Sequence, residues 1–352
     1  MTEAEKFKSL IESSERTLIT SHISPDPDAV CSVMLLGQTL RKNFPNKQIQ
    51  MALEENIPQD LSFLKGYSEI KFGPLLKTAS ELKPDLIVIV DAADISRLSR
   101  NQNQELERLI HDELKAKIAV VDHHQADDNF KIDGRIDVNI IEDKPATAQQ
   151  IYELCFEQLN LAKPDGYAET ALLGILRDTS RFKYDNSDHK NTFRIASELL
   201  DAGASIEQLE YRLSRFNKEE LMVLAHLLGN VTDSKQGYTY SFIDDQFASD
   251  WKTAGRPDTA LKTGCDIFSN QYLRNLNSNF WGFVIYPELL AEAISYSVSF
   301  RAVSGGVDVA AIAARLGGGG HKEAAGAKNI QANDISGAIE IIKKAIAESL
   351  AA

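Results

Sequence analysis

Short, unbroken apolar runs alternate with stretches of helical periodicity through the first half of the chain. Residues 16–22 (RTLITSH) read as a strand and residues 29–44 (AVCSVMLLGQTLRKNF) as an amphipathic helix. Residues 84–94 (PDLIVIVDAAD) form a β-branched run that ends abruptly in Asp91, and residues 117–124 (KIAVVDHH) repeat the arrangement and end in Asp122. Apolar strands separated by helices predict a parallel sheet covered on both faces. Residues 168–182 (AETALLGILRDTSRF) predict a helix terminating near Asp178. Residues 189–205 predict another, closed by Gly203 as a C′ glycine.

Beyond residue 205 the texture changes. Residues 206–231 are helix-rich and polar on one side, as expected of a connector between domains. Strand patterns follow at 237–244 (GYTYSFID), 280–288 (FWGFVIYPE) and 293–303 (AISYSVSFRAV), and the chain closes with VDVAAIAARL, GGGGH and a final helix, SGAIEIIKKAIAESL. No internal repeat or low-complexity tract is evident. The predicted fold class is α/β: a doubly wound, mainly parallel sheet domain over 1–205, the connector over 206–231, and a smaller mixed α/β domain over 232–352.

Length supports that division, because 352 residues exceed the roughly 250–300 at which single cores stop growing. Hydrophobic content of 43% and charged content of 25% are those of a globular protein. The first residues, MTEAEKFKSL, are too polar for a secretory signal or anchor, and LIVIV at 86–90 is far too short for a span of about 20 residues. No membrane partner is expected. Cys31, Cys155 and Cys265 are odd in number and form no C-x-x-C pair, which points to a reducing, cytoplasmic setting and away from a structural zinc site. A net charge of −13 disfavours long duplex nucleic acid, which needs many Lys and Arg contacts to phosphate. It leaves room for a small anionic substrate, because bound cations can supply local positive charge. Neither charge nor patterning speaks to dimerisation, so a homodimer stays open.

In such sheets ligands bind beyond the carboxyl ends of the strands, and the polar clusters fall there. His22, Asp26 and Asp28 lie in SHISPDPDA, a proline-stiffened turn into a helix, where two carboxylates and an imidazole can serve two adjacent cations. A carboxylate opening a helix can equally be a cap. Asp91 alone reads as a turn former, and Asp178 alone is weak, with Arg181 close enough to partner a phosphate. Asp122-His123-His124 carries more. In an extended segment the two imidazoles should point to opposite sides, one to a metal and the other to substrate. Carboxylate and imidazole ligands without thiolate suit Mn, Mg or Fe. Two ions about 3.5–4 Å apart would generate hydroxide near neutral pH and brace phosphoryl oxygens. At 317–326 (GGGGHKEAAG), four glycines allow backbone N–H groups to approach an anion, with His321 as a donor and a following helix offering its positive end.

Taken together, these motifs resemble the DHH phosphoesterase superfamily, in particular members that pair a DHH domain with the DHH-associated C-terminal domain, the nanoRNase/pAp phosphatase type. The five motifs occur in the family's order across nearly the whole chain. The resemblance implies that His22, Asp26 and Asp91 hold one metal, and that Asp28, Asp91, His123 and Asp178 hold a second, with Asp91 bridging. It makes His124 and Asp122 the catalytic candidates: His124 as the contact to the substrate phosphate, Asp122 as its neighbour with no ligation assigned. It gives Arg301 and Gly319-Gly320-His321 the substrate's other phosphate or nucleotide, across an interdomain cleft, and it implies manganese, with magnesium as the alternative. Pro27 stands where the family often has Gly, and Arg177 where a small hydroxyl residue is common; the second departure bears on substrate choice and leaves the metal set intact.

The expected activity is therefore hydrolysis of short oligonucleotides, pAp or both, by a metal-bound hydroxide. A cyclic dinucleotide such as cyclic di-AMP, or its linear product, is the alternative substrate. A metal-dependent nucleotide-binding regulatory protein is the non-enzymatic alternative, although no ligand position is missing. Tyr238, Trp251, Tyr272 and Trp281 can stack on bases, but aromatics alternating in strands more often pack a core.

Overall fold

A computed structural model describes residues 2–57, 60–93, 95–124, 135–183, 188–213, 215–276, 279–289 and 294–351. Asp94 at the end of one predicted run, Ala293 at the start of a predicted strand and Ser214 in the predicted connector lie outside the described residues. The chain divides into two compact units, Met1–Ser214 and Arg215–Ala352.

The first unit is built on six parallel strands: β1 (Arg16–Thr20), β2 (Gln48–Leu53), β3 (Lys71–Phe72), β4 (Leu86–Val90), β5 (Lys117–Asp122) and β6 (Val138–Ile141). Their order is β3-β2-β1-β4-β5-β6. The chain walks outward from β1, then returns to β1's other side as β4. The two halves therefore diverge at the carboxyl ends of β1 and β4, where open α/β sheets leave a crevice for ligands.

Alternation within the strands builds both core layers. Leu86, Val88 and Val90 of β4 join Ile19, Ala119 and Val121 on one face. Ile87 and Ile89 join Leu18, Ile118 and Val120 on the other. A run apolar at every position is what a strand buried on both sides requires. The helix Pro27–Asn43 lies against the first face, with Pro27 at its first turn and Asp26 as its cap, the Asp26 Oδ1 accepting from the Ala29 N–H at 3.0 Å. The helix His189–Asp201 ends in a Schellman turn on Gly203 (φ +98°), whose N–H reaches the Leu200 carbonyl while that of Ala204 reaches Leu199.

The second unit holds a mixed sheet of β7 (Thr232–Asp233), β8 (Thr239–Phe242), β9 (Trp281–Pro287), β10 (Ser295–Ala302), β11 (Gly319–His321) and β12 (Ala324–Gln331), in the order β11-β12-β10-β9-β8-β7. Only the β8–β9 pair is parallel among these described strands. Phe283 and Phe300 pack with Ile339 and Ile342 of the helix Ile335–Leu350 on one face. Val284 and Tyr286 pack with Trp251, Phe268 and Leu227 on the other. Tyr238, Trp251 and Trp281 are buried in these cores, and Tyr238 and Trp281 meet ring to ring at 5.1 Å.

The glycine-rich segment differs from expectation. It is followed directly by a strand, β12, and not by a helix. Gly319–His321 is an edge strand hairpinned onto β12 through Lys322 and Glu323. The glycines answer to close backbone approach: a Cβ on Gly318 would stand 2.0 Å from the Gly326 carbonyl oxygen, and one on Gly320 (φ +143°) 2.5 Å from that of Ala324. The predicted positive helix end at this segment is therefore withdrawn.

Candidate metal centre

Register delivers the first contacts. Val90 pairs with Val121, and the Asp91 N–H donates to the Val121 carbonyl at 3.0 Å, so Asp91 and Asp122 leave their strands side by side. Thr20 pairs with Ile89 one step earlier, which carries His22 to the same edge. Asp91 is buried and turns through a left-handed backbone (φ +56°), a conformation rare for residues other than glycine. That turn brings its carboxylate to 3.5 Å from His22 Nε2 and 3.5 Å from His123 Nε2.

Asp26 and Asp28 divide between the two readings of their motif. Asp26 caps its own helix. Asp28 is fully buried and caps a different helix, Thr147–Tyr152: its Oδ2 accepts from the Thr147 N–H at 2.7 Å and its Oδ1 from the Ala148 N–H at 3.1 Å. That helix begins on Ala146, which has no side chain able to cap it. Burial pushes the Asp28 carboxyl well above its usual range, and the charges of Asp178 and Asp91 push the same way.

His123 and His124 do not point to opposite sides. The strand ends at Asp122, the chain leaves the extended conformation there, and both rings turn towards Asp91, with centroids 4.3 Å apart. His123 donates from Nδ1 to the Lys144 carbonyl at 2.9 Å, which leaves Nε2 facing Asp178 Oδ2 at 3.1 Å. Burial opposes the charged ring, but pairing with Asp178 and the charges of Asp91 and Asp28 outweigh it and raise its pKa to about 10. His22 is held alike, its Nδ1 on the Ile23 carbonyl at 2.8 Å, so that Nε2 faces Asp91. His124 Nδ1 lies 2.7 Å from Asp122 Oδ1. Burial raises the Asp122 carboxyl, and that contact overrides it, leaving Asp122 below its ordinary value.

Three triplets of ligand atoms lie within 4.8 Å of one another: His22, Asp26 and Asp91; Asp28, His123 and Asp178; Asp91, His123 and His124. Five carboxylates, of which Asp28, Asp91 and Asp122 are buried, converge with three imidazoles, an excess of negative charge that divalent cations would offset. Asp122 Oδ2 is buried without a hydrogen-bond partner. An imidazole whose Nδ1 is fixed by a carbonyl while Nε2 faces two carboxylates, Asp178 at 3.1 Å and Asp91 at 3.5 Å, is the arrangement of a metal ligand. The residues fit a divalent metal centre.

Several contributors escape sequence reasoning. Thr147 donates from Oγ1 to Asp91 Oδ1 at 2.9 Å, in addition to its N–H on Asp28. Gly174, inside the helix Tyr167–Asp178 that delivers Asp178, makes room for Asp28, since a Cβ there would stand 2.5 Å from Asp28 Oδ1. The only local signal was a helix start at Pro145-Ala146 that lacks a capping side chain. Arg181 is engaged by Glu210, Nε to Oε2.

In the second unit, Arg301 of β10 pairs with Ala324, and Ala324 with His321. Arg301 and His321 thus share a cross-strand row two strands, or about 9–10 Å, apart. Arg301 donates from Nε and Nη2 to Asn270 Oδ1 and from Nη1 to the Phe300 carbonyl.

Residues 16–175 match the DHH family, N-terminal domain, and residues 259–348 match the DHHA1 domain. The chain thus carries a DHH-family N-terminal domain, of a family of phosphoesterases that use divalent metals, and a DHHA1 domain. It is similar, at 27% identity over 96% of its length and 95% of the relative's, to the bifunctional oligoribonuclease and PAP phosphatase NrnA of Mycoplasma pneumoniae. The protein of the same name from Bacillus subtilis is 26% identical, with 88% of each chain covered. The crystal structure of an exopolyphosphatase-related protein from Bacteroides fragilis superposes with a TM-score of 0.81 at 18% identity, covering 98% of this chain and 96% of the other, which bears on the fold alone. No helix of the described residues is long and apolar enough to cross a membrane.

Proposed function

We propose that the protein hydrolyses short oligoribonucleotides and pAp with a pair of manganese ions. The reading is carried by the convergence of His22, Asp26, Asp28, Asp91, His123 and Asp178 at the carboxyl ends of β1, β4 and β5, and is supported by what the relatives are named for. Bound divalent ions activate a water and draw charge from phosphoryl oxygens. His22, Asp26 and Asp91 hold one ion; Asp28, Asp91, His123 and Asp178 hold the second; Asp91 bridges. His124, steered by Asp122, contacts the phosphate under attack. Arg301 with Gly319, Gly320 and His321 of the second unit bind the substrate's other phosphate or nucleotide. Arg301 suits that task because its guanidinium is a planar fork of N–H donors that matches phosphate oxygens. Three buried free cysteines agree with a cytoplasmic setting.

The test is turnover with added manganese on di- to pentaribonucleotides, pAp, a linear dinucleotide and cyclic di-AMP. Rates should be highest on the oligoribonucleotides and pAp. Asp91→Ala and His123→Ala should each lower them by more than about 100-fold, beyond what loss of an outer partner of a metal ligand costs. Undiminished turnover in both variants would sink the reading, and preference for cyclic di-AMP would replace its substrate.

A further inference from the structure

Three of the metal-ligand candidates are held by one five-residue segment, Lys144–Ala148. The Lys144 carbonyl accepts from His123 Nδ1, the Thr147 and Ala148 N–H groups bind Asp28, and the Thr147 hydroxyl binds Asp91. Three of the four groups offered are backbone groups, placed by where the chain runs, so something must fix the backbone. Lys144, Pro145 and Ala146 are irregular, lying between the end of β6 and the helix that Thr147 and Ala148 begin.

Its anchor is the Lys144 side chain. The ammonium Nζ lies 2.6 Å from Glu153 Oε2 and 3.0 Å from Asp188 Oδ2, in a largely buried setting where only 17% of the lysine side chain and 9% of the Glu153 side chain are exposed. Gln149 Nε2 reaches the same two carboxylates, each at 3.0 Å, and Asn191 Nδ2 reaches them at 2.7 and 3.1 Å. Every donor in this cluster thus binds both acids, and the lysine is tied to two separate helices, the one continuing through Glu153 and the one capped by Asp188. The side-chain donors Lys144 Nζ, Gln149 Nε2 and Asn191 Nδ2 are directed at these two acids, and the cluster reaches Asp28, Asp91 and His123 by way of the chain that Lys144 anchors. A buried lysine between two carboxylates is a costly way to stabilise a fold. Here it immobilises the one residue whose carbonyl sets the tautomer of His123.

We propose that the Lys144–Glu153–Asp188 cluster is a positioning device for the metal centre, acting on His123 through the Lys144 carbonyl and on Asp28 and Asp91 through Thr147 and Ala148. Lys144, Glu153 and Asp188 are positioning residues. The inference rests on the metal-binding part of the reading above.

Manganese titration by calorimetry at fixed pH, on the full chain, separates the possibilities by sign. Lys144→Met removes a positive charge near a cation site, so simple electrostatics predicts tighter manganese binding; Glu153→Gln removes a negative charge and predicts weaker binding. Positioning predicts that both variants weaken it, by about 10–100-fold. The Nδ1 proton of His123, held on the Lys144 carbonyl in the metal-free protein, should also exchange faster with solvent in both. Tighter binding in Lys144→Met, or unchanged affinity in both variants whatever their melting temperatures, overturns the proposal. If Lys144→Met fails to fold, the double variant Lys144→Met/Glu153→Gln, which leaves no net change of charge, decides on the same affinity. Wild-type protein that binds no manganese overturns the proposed function itself, a result read before any variant is compared.

Discussion

At the scale of single residues, the centre is packed as tightly as a core, and Gly174 shows the consequence. An alanine there places its Cβ 2.5 Å from both Asp28 Oδ1 and the Ala148 Cβ. The Ala148 Cβ can move only with its backbone and Asp28 Oδ1 is held by the Ala148 N–H, so Gly174→Ala should cost about 1–3 kcal/mol in chemical denaturation of the metal-free protein, and it should weaken manganese binding by displacing Asp28. Titration supplies a second expectation. His123 has its pKa raised to about 10 in the metal-free protein, above the ordinary 6.5. Its stabilising contacts as an imidazolium are therefore complete below about pH 6.5 and are lost as pH rises through 10. Manganese needs the neutral ring, so binding must expel this proton. Apparent manganese affinity should rise with pH from 6 to 9, by up to about tenfold per unit for this one proton, and calorimetry in buffers of different ionisation enthalpy should register the release. His123→Gln should flatten that dependence.

At the scale of elements, the sequence shows strands better than it shows what joins them. Runs such as LIVIV at 86–90 and KIAVV at 117–121 announce buried parallel strands because every position is apolar, and the Asp that ends each run marks the edge where chemistry gathers. Asp91 and His123 are marked by that edge, His22, Asp26 and Asp28 by the polar, proline-stiffened turn after β1, and Asp178, weak alone, only by the resemblance. Thr147 and the Lys144 carbonyl were not legible, since a backbone N–H or C=O has no letter in a sequence. Nor was the turn after Asp178, where Ser180, Arg181 and Phe182 run left-handed in succession although none is a glycine or asparagine. The segment GGGGH misled only in the helix expected directly after it: glycine serves anion binding and close strand approach equally well, and the pairing with β12 puts a strand where the helix was expected. Gly320→Ala tests the second role: with φ at +143°, it should destabilise the hairpin by about 1–3 kcal/mol, seen in thermal unfolding, while manganese affinity stays at the wild-type value.

At the scale of the whole molecule, each hydrophobic cluster among the described residues is drawn from one unit alone: two clusters from residues up to 214, two from residues beyond. Every candidate metal ligand belongs to the first unit. Calorimetric unfolding should accordingly show two transitions, and manganese should raise one of them while leaving the other within a degree or so, because a ligand stabilises only what it binds. A single transition raised as a whole would show the units unfolding together. The separation of cores also bears on how the protein can change over generations. A substitution that loosens the packing around Phe283 lowers the threshold for losing the second unit without bringing the metal-bearing unit nearer to its own. Substrate preference, insofar as Arg301 and His321 set it, is then free to drift under a tolerance separate from the one that guards hydrolysis.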